Sequence, residues 1–227
     1  HMRSQASLPS HVKIYPQYLK DAGYYVTNNS KKDYNIDQNT PGWDESSRNA
    51  HWKNRPKGKP FFAIFNSGLT HESSLHPSRH TVKPGIPLNQ VRVPAYLPDT
   101  KTVRDRIASY YTRIQEMDSF VAKQLKDLED AGLAEDTIVF YYSDHGGIMP
   151  RSKRFVYDSG THVPLVVRFP KKWAHLSPHK PGTQTDERVG FVDFAPTILS
   201  LIGADIPVHM QGRAFLGEKT SPAPKYA

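Results

Sequence analysis

The sequence predicts an α/β fold, a mainly parallel sheet with helices on both faces, and three observations carry that expectation. Short, nearly continuous apolar runs recur at Pro60-Phe61-Phe62-Ala63-Ile64-Phe65, at Thr137-Ile138-Val139-Phe140-Tyr141-Tyr142 and over residues 163–169. Runs of that length with no polar alternation read as strands buried on both faces, the pattern of parallel sheets. Segments of helical periodicity separate them, and strands alternating with helices build layered α/β architectures. No internal repeat and no low-complexity tract marks a second domain.

Taken in chain order, residues 16–23 read as a short helix stopped by Gly23, followed by an extended Tyr24-Tyr25-Val26-Thr27. Residues 34–58 are polar and rich in Asn, Asp, Gly and Lys, and read as a long loop. The apolar strand at 60–65 follows. Residues 71–98 hold five prolines and three histidines and read as irregular. The clearest helix comes next: Ile107, Tyr110, Tyr111, Ile114, Met117, Phe120, Val121, Leu125 and Leu128 recur at three- and four-residue spacing. Asp99 or Thr102 is placed to cap its start, and Gly132 to end it. The strands at 137–142 and 163–169 follow, and residues 192–202 form a last helix with Pro196 near its first turn.

Composition narrows the function classes. The chain has 227 residues, 37% of them apolar, with 10 Phe, 12 Tyr and 3 Trp to fill a core and 19 prolines to turn loops. That length suits one domain with a substantial interior. No run approaches the ~18–20 apolar residues that span a bilayer, so no membrane partner is expected. The net charge of +8 favours anionic partners or serves as a solubilising surface. The basic residues are scattered, with no basic amphipathic helix or aromatic RNA-binding motif, so nucleic acid is not expected as a partner. The absence of cysteine removes disulfides and thiolate metal sites and leaves the compartment open. His1-Met2 reads as an expression-tag scar.

In open parallel sheets, ligands bind beyond the carboxyl ends of the strands. Three such ends carry polar clusters: Asn28-Asn29-Ser30-Lys31-Lys32-Asp33, Asn66-Ser67-Gly68-Leu69-Thr70-His71-Glu72 and Asp144-His145-Gly146-Gly147. Asp144 and His145 are both able to ligate a divalent cation, with glycines permitting the tight turn that follows. Lysines at such an edge suit a substrate anion. Each residue alone has a plainer reading: Asp144 as a turn or capping residue, His71 as a hydrogen-bonded loop residue, Lys31 as a solvated cation. Their joint placement is what points to chemistry.

Residues 137–169, with Ser143-Asp144-His145-Gly146, Lys153, Tyr157-Asp158-Ser159-Gly160-Thr161 and Val163-Pro164-Leu165, resemble the sulfatases of the alkaline-phosphatase superfamily. In that family a Ser-Asp-Asn/His-Gly strand end ligates calcium and a nearby Lys contacts the sulfate, so the resemblance implies Asp144 and His145 as ligands of Ca2+ and Lys153 as a sulfate contact. The short step from Asp144 to Lys153 is more similar to heparan N-sulfatase-like members than to typical arylsulfatases. Ala22-Gly23-Tyr24 through Ser30-Lys31 resembles the segment carrying the active-site lysine, which Lys31 matches, with Asp33 where many members have histidine. Residues 61–71 resemble the strand leading to a substrate-contacting histidine, which His71 matches. Residues 192–199 and Met210-Gln211-Gly212-Arg213 resemble a structural helix and its following turn. The implied roles make Lys31 and Lys153 the sulfate holders and His71 the group that assists the leaving atom.

The sequence also departs from the family. Members begin with tandem aspartates and a Cys- or Ser-x-Pro-Ser-Arg motif whose first residue becomes the formylglycine nucleophile. Neither is found here: His76-Pro77-Ser78-Arg79 echoes the motif, but Leu75 stands at the nucleophile position, so no formylglycine is expected. The expected organisation is a partial sulfatase catalytic domain over residues 3–215, incomplete at both ends, with a tail over 216–227. The chain alone is expected to be inactive. A sulfated small molecule or glycan is the expected partner, and the family resemblance suits a periplasmic or secreted protein. A homo-oligomer or a separate N-terminal segment is expected to cover the sheet edge. Two other readings stay open: a non-catalytic binder of sulfated or anionic glycans, and a phosphoester hydrolase of the same superfamily.

Overall fold

The structure, a computed structural model, describes residues 5–37, 42–76 and 82–223. In chain order its main elements are α1 (Tyr15–Asp21), β1 (Tyr25–Asn29), β2 (Glu45–Ser46), β3 (Phe61–Phe65), α2 (Lys101–Asp130), β4 (Val139–Tyr142), α3 (Asp158–Thr161), β5 (Leu165–Arg168) and α4 (Phe194–Leu201). The chain forms two compact units: residues 1–66 with 175–227, and residues 67–174. No helix among the described residues is long and apolar enough to cross a membrane.

The first unit is built on a parallel sheet in the order β2-β1-β3. Tyr25 to Asn29 pair in parallel with Phe61 to Phe65, and Thr27 and Asn28 with Glu45 and Ser46. Being central, β1 is buried from Tyr25 through Asn28, polar positions included. The helix α1 packs on β1 and on α4. Pro16 starts α1, where its missing N–H costs nothing, and Gly23 at φ +90° ends it as the sequence predicted. Leu19, Val26 and Leu199 form the fully buried centre. The last helix follows a 3-10 turn at Phe191–Asp193, and its Thr197 and Ser200 hydroxyls accept from the Phe215 and Lys219 backbone N–H groups. The packed chain thus runs past residue 215: Leu216 is buried and Ser221 N–H bonds to the Ala214 carbonyl.

The parallel sheet and its helices bear out the α/β expectation, but the stretch at 34–58 is more ordered than its composition implied. It contains β2 and a 3-10 turn at Trp52–Asn54 whose Trp52 stacks on Phe61 with centroids 5.4 Å apart. A two-residue strand of Glu and Ser has no apolar signature. Its place is fixed instead by Asp44, whose carboxylate accepts the Val26 N–H at 2.8 Å.

The second unit is dominated by the 30-residue α2. Ile107 and Ala108 pack with Val91, and Val103, Tyr111 and Met149 close around them. The cap is Thr100, whose hydroxyl accepts the Val103 N–H at 3.3 Å, rather than Asp99 or Thr102. Asp99 is instead engaged by Arg104 through two contacts of 2.6 and 2.7 Å, and the same guanidinium holds the Leu88 and Val91 carbonyls. Gly132, at φ +67°, ends the helix as expected.

The strand direction in this unit departs from expectation. β4 and β5 pair antiparallel, Val139 opposite Arg168 and Tyr142 opposite Leu165. Burial along β5 alternates, with Val166 and Arg168 exposed. The apolar run at 163–169 is therefore a half-buried strand, and the loop between β4 and β5 returns the chain to pair with itself. Against α2, β4 places the Tyr141 hydroxyl 3.3 Å from Met117 Sδ.

Candidate active site

The loop leaving β4 begins Ser143-Asp144-His145 and doubles back to α3. Three close approaches hold it. Gly146 N–H bonds to the Gly160 carbonyl at 3.0 Å, Lys153 N–H to the Gly147 carbonyl at 3.0 Å, and the buried Ser152 hydroxyl to the Ser159 carbonyl at 2.6 Å. Gly146 and Gly160 permit this packing. A Cβ on Gly146 would lie 2.0 Å from the Ser159 carbonyl oxygen, and one on Gly160 2.3 Å from that of Phe155. Arg151 and Arg154 flank the loop's Lys153 with φ of +66° and +74°. Such left-handed backbone costs a non-glycine residue about 1–2 kcal/mol and persists only where surrounding bonds enforce it.

This loop aims Lys153 at His71. The two residues are 82 positions apart in sequence, yet Lys153 Nζ lies 3.2 Å from His71 Nε2. His71 opens a 3-10 turn at Glu72–Leu75, where its Nδ1 lies 2.9 Å from the Ser73 hydroxyl and 3.2 Å from the Ser73 N–H. Those contacts fix the ring plane. Because the Ser73 N–H donates to Nδ1, that nitrogen accepts, and Nε2 is the nitrogen turned toward Lys153 Nζ. Glu72 stands beside them, its Oε1 3.6 Å from Lys153 Nζ and 2.7 Å from Arg154. The Lys153 side chain is only 19% exposed while that of Arg154 is 70% exposed. Lysine and histidine are thus held as a partly buried pair, with one carboxylate shared by two cations.

Asp144 and His145 follow β4. His145 Nδ1 lies 2.7 Å from the Gly146 carbonyl and donates to it, which leaves the Nε2 lone pair 3.6 Å from Asp144 Oδ1. A histidine whose far nitrogen is fixed in this way presents the other to a metal. The pair supplies one oxygen and one nitrogen donor, and among the described residues no group of three or more His, Cys, Asp or Glu is placed to hold a metal ion. Calcium takes about 6–8 oxygen donors. The two residues fit part of such a site and not the whole. Tyr142, at the end of β4, has its hydroxyl pushed above the usual tyrosine range by burial and by the Asp144 charge.

The structure therefore brings His71 together with Lys153, and Asp144 with His145, all in the second unit. Lys31 belongs to the first. It follows the carboxyl end of β1, where the buried Asn28 amide donates to its carbonyl at 2.8 Å, and its ammonium lies 3.6 Å from Asp33. Of the partial nucleophile motif, Leu75 is buried and Pro77, Ser78 and Arg79 lie outside the described residues.

Residues 14–204 match the family model described as Sulfatase. The chain belongs to the sulfatase family. It is 39% identical over 248 residues to an ulvan-active sulfatase of Formosa agariphila, covering 94% of this chain and 41% of that protein. To the human N-sulphoglucosamine sulphohydrolase it is 33% identical over 138 residues, 56% of this chain and 26% of that protein. Its fold is similar to that of BT4656, solved in complex with its substrate D-glucosamine-2-N,6-O-disulfate, with a TM-score of 0.66 at 17% identity over 99% of this chain and 68% of that one. The sulfatase chain spans less than half the length of these two curated relatives.

Within this sulfatase chain, sequence reasoning assigned no role to the parts that position Lys153. Glu72 stood in the quoted strand end without a role. Ser152, Gly146 and Gly160 carry no chemistry of their own, and their spacing of 14 residues between the glycines signals nothing until the loop is folded.

Proposed function

We propose that this sulfatase chain holds and helps to release the sulfate of a sulfated sugar, with Lys153 and His71 as the central pair. The observation that carries this reading is the 3.2 Å contact between Lys153 Nζ and His71 Nε2 on a pinned loop. The Lys153 ammonium neutralises the charge of a sulfate oxygen, a charge-assisted contact strengthened by partial burial. The leaving oxygen or nitrogen, entering between Nζ and Nε2, takes its proton from this pair. Lys31 is a second sulfate-holding lysine by family resemblance.

Asp144 Oδ1 and His145 Nε2 are the residues that would hold a divalent metal, calcium by resemblance, which would polarise the sulfate when bound. The fixed Nδ1 of His145 supports that role. The sequence contains no cysteine, and Leu75 occupies the nucleophile position of the partial motif. These 227 residues alone are therefore proposed to bind sulfated sugars without turning them over.

The test measures sulfate release and binding together. Purified chain is expected to release no sulfate from a fluorogenic aryl sulfate with calcium or with EDTA. It is expected to bind a sulfated monosaccharide, with Lys153→Ala and His71→Ala each weakening binding about ten- to a hundredfold, the loss of one charged hydrogen bond. Calcium-dependent release in proportion to added chain would overturn the assignment of inactivity. Binding unchanged in both variants would overturn the assignment of the pair.

A further inference from the structure

Two residues before Lys153, Arg151 holds an unusual place. Its guanidinium lies 4.4 Å from the Tyr157 ring centroid and 4.9 Å from that of Tyr96. Both tyrosines are well exposed, at 46% and 43%. Unlike Arg154, which is paired with Glu72, the Arg151 guanidinium has no carboxylate partner among the described residues. Its backbone is fixed: φ is +66°, and its carbonyl accepts from the Ser159 hydroxyl at 2.6 Å. Phe155 and Val156 extend the patch, both exposed, with the Phe155 and Tyr157 rings 6.2 Å apart. An arginine fixed between two tyrosine faces keeps its planar fork of donors directed outward at little conformational cost.

Each cation–π contact stabilises by about 0.5–1 kcal/mol at exposed sites, so the two together about offset the ~1–2 kcal/mol that a left-handed arginine costs. Charge and shape together select an occupant with an anion for the fork and a flat, partly apolar ring for the aromatic faces. A pyranose bearing a carboxylate or a sulfate has both. Consecutive Cα atoms are ~3.8 Å apart, so Arg151 and Lys153 stand within about 8 Å along the backbone.

We propose that Arg151, Tyr96 and Tyr157 form a second anion subsite, which takes the carboxylate or second sulfate of the sugar flanking the one whose sulfate meets Lys153. The subsite makes the site selective for anionic polysaccharides over isolated sulfate esters. It rests on the reading of Lys153 and His71 as the sulfate-holding pair.

The experiment titrates the chain with three disaccharides and reads Kd by calorimetry. One is a monosulfated sugar linked to a uronate, the second is its carboxyl-reduced counterpart, and the third is a disulfated pair with no uronate. Arg151→Gln and Arg151→Gly, the latter suited to the left-handed backbone, are expected to weaken the first or the third about ten- to a hundredfold. The carboxyl-reduced ligand should change less than twofold. Loss confined to the first identifies a carboxylate occupant, loss confined to the third a sulfate, and loss of both the shared chemistry. Equal weakening of all three ligands, or of none, in variants whose melting matches the parent overturns the subsite. Lys153→Ala separates the two readings, because it should weaken all three ligands. If it weakens none while Arg151→Gln remains selective, the sulfate-holding pair is wrong and the subsite stands.

Discussion

Substituting Gly146→Ala should unfasten the loop that aims Lys153, and the size of the effect follows from the distances. The new Cβ would lie 2.0 Å from the Ser159 carbonyl oxygen, 2.5 Å from Ser152 Oγ and 2.7 Å from Gly160 Cα. Side-chain carbons essentially never come within 3.0 Å of such atoms, so the Ser159–Gly160 backbone must retreat by roughly 1 Å. That displacement opens the Gly146 N–H to Gly160 bond and the Ser152 to Ser159 bond, now 3.0 and 2.6 Å. Two hydrogen bonds at about 1 kcal/mol each, with about 1–3 kcal/mol of overpacking, give a loss of roughly 3–5 kcal/mol. For a chain of this size that lowers Tm by roughly 6–20 °C. Gly68→Ala is the control in the same unit, because a Cβ there meets nothing within 4 Å. Thermal unfolding followed by circular dichroism reads both. If Gly146→Ala melts within about 2 °C of Gly68→Ala, the close approach of the two loop segments is wrong, and with it the account of how Lys153 is placed.

Other outcomes follow from single contacts. Thr100→Ala removes the cap of α2 and should cost about 1 kcal/mol, read as a lower urea midpoint with an unchanged slope; Thr102→Ala should cost little, since Thr102 is not the cap. Tyr25 is pushed up to about 12, by burial first and then by its hydrogen bond to Glu45. A group whose pKa is raised by folding contributes stability that is present below its unfolded value near 10 and lost as pH rises through 12. Tyr25→Phe should therefore remove part of the stability loss between pH 10 and 12, and an unchanged alkaline profile would contradict this placement of the ring.

What the sequence made legible depended on how local each signal was. β3 and α2 were legible because an apolar run and a three-four periodicity are written in consecutive residues. β2 was not, since Glu45-Ser46 becomes a strand only when β1 offers it an edge. The direction of β5 was not, because Leu165 to Arg168 pair with β4 through a loop whose return no residue pattern encodes. The cap of α2 was missed by a residue or two for a similar reason: Asp99 has the better capping side chain, but Arg104 takes its carboxylate. At the site, His71, Asp144 and His145 were legible as candidates from their strand-end positions and the family pattern, and Lys153 from the family pattern. The pairing of His71 with Lys153 across 82 positions was not, and neither was the role of two glycines as the place where backbones touch.

The electrostatics of the loop explain why its lysine suits an anion rather than closing on itself. Residues 151–154 carry three cations, Arg151, Lys153 and Arg154, and Glu72 is paired with the last two. Glu72 makes its short contact, 2.7 Å, with the exposed Arg154 and stands 3.6 Å from Lys153, beyond hydrogen-bond length. It therefore holds the ammonium in position while leaving Lys153 its donors for another acceptor. Were the lengths exchanged, a tight Lys153–Glu72 pair would have to be broken before a sulfate bound, and affinity would fall by the strength of that pair. Arg154 thus acts on the site by occupying Glu72. Removing it with Arg154→Ala should shorten the Glu72–Lys153 contact and weaken sulfated-sugar binding through the freed carboxylate. Adding Glu72→Gln to that variant should restore binding. Binding that stays weak in the double variant would show that Arg154 meets the ligand directly.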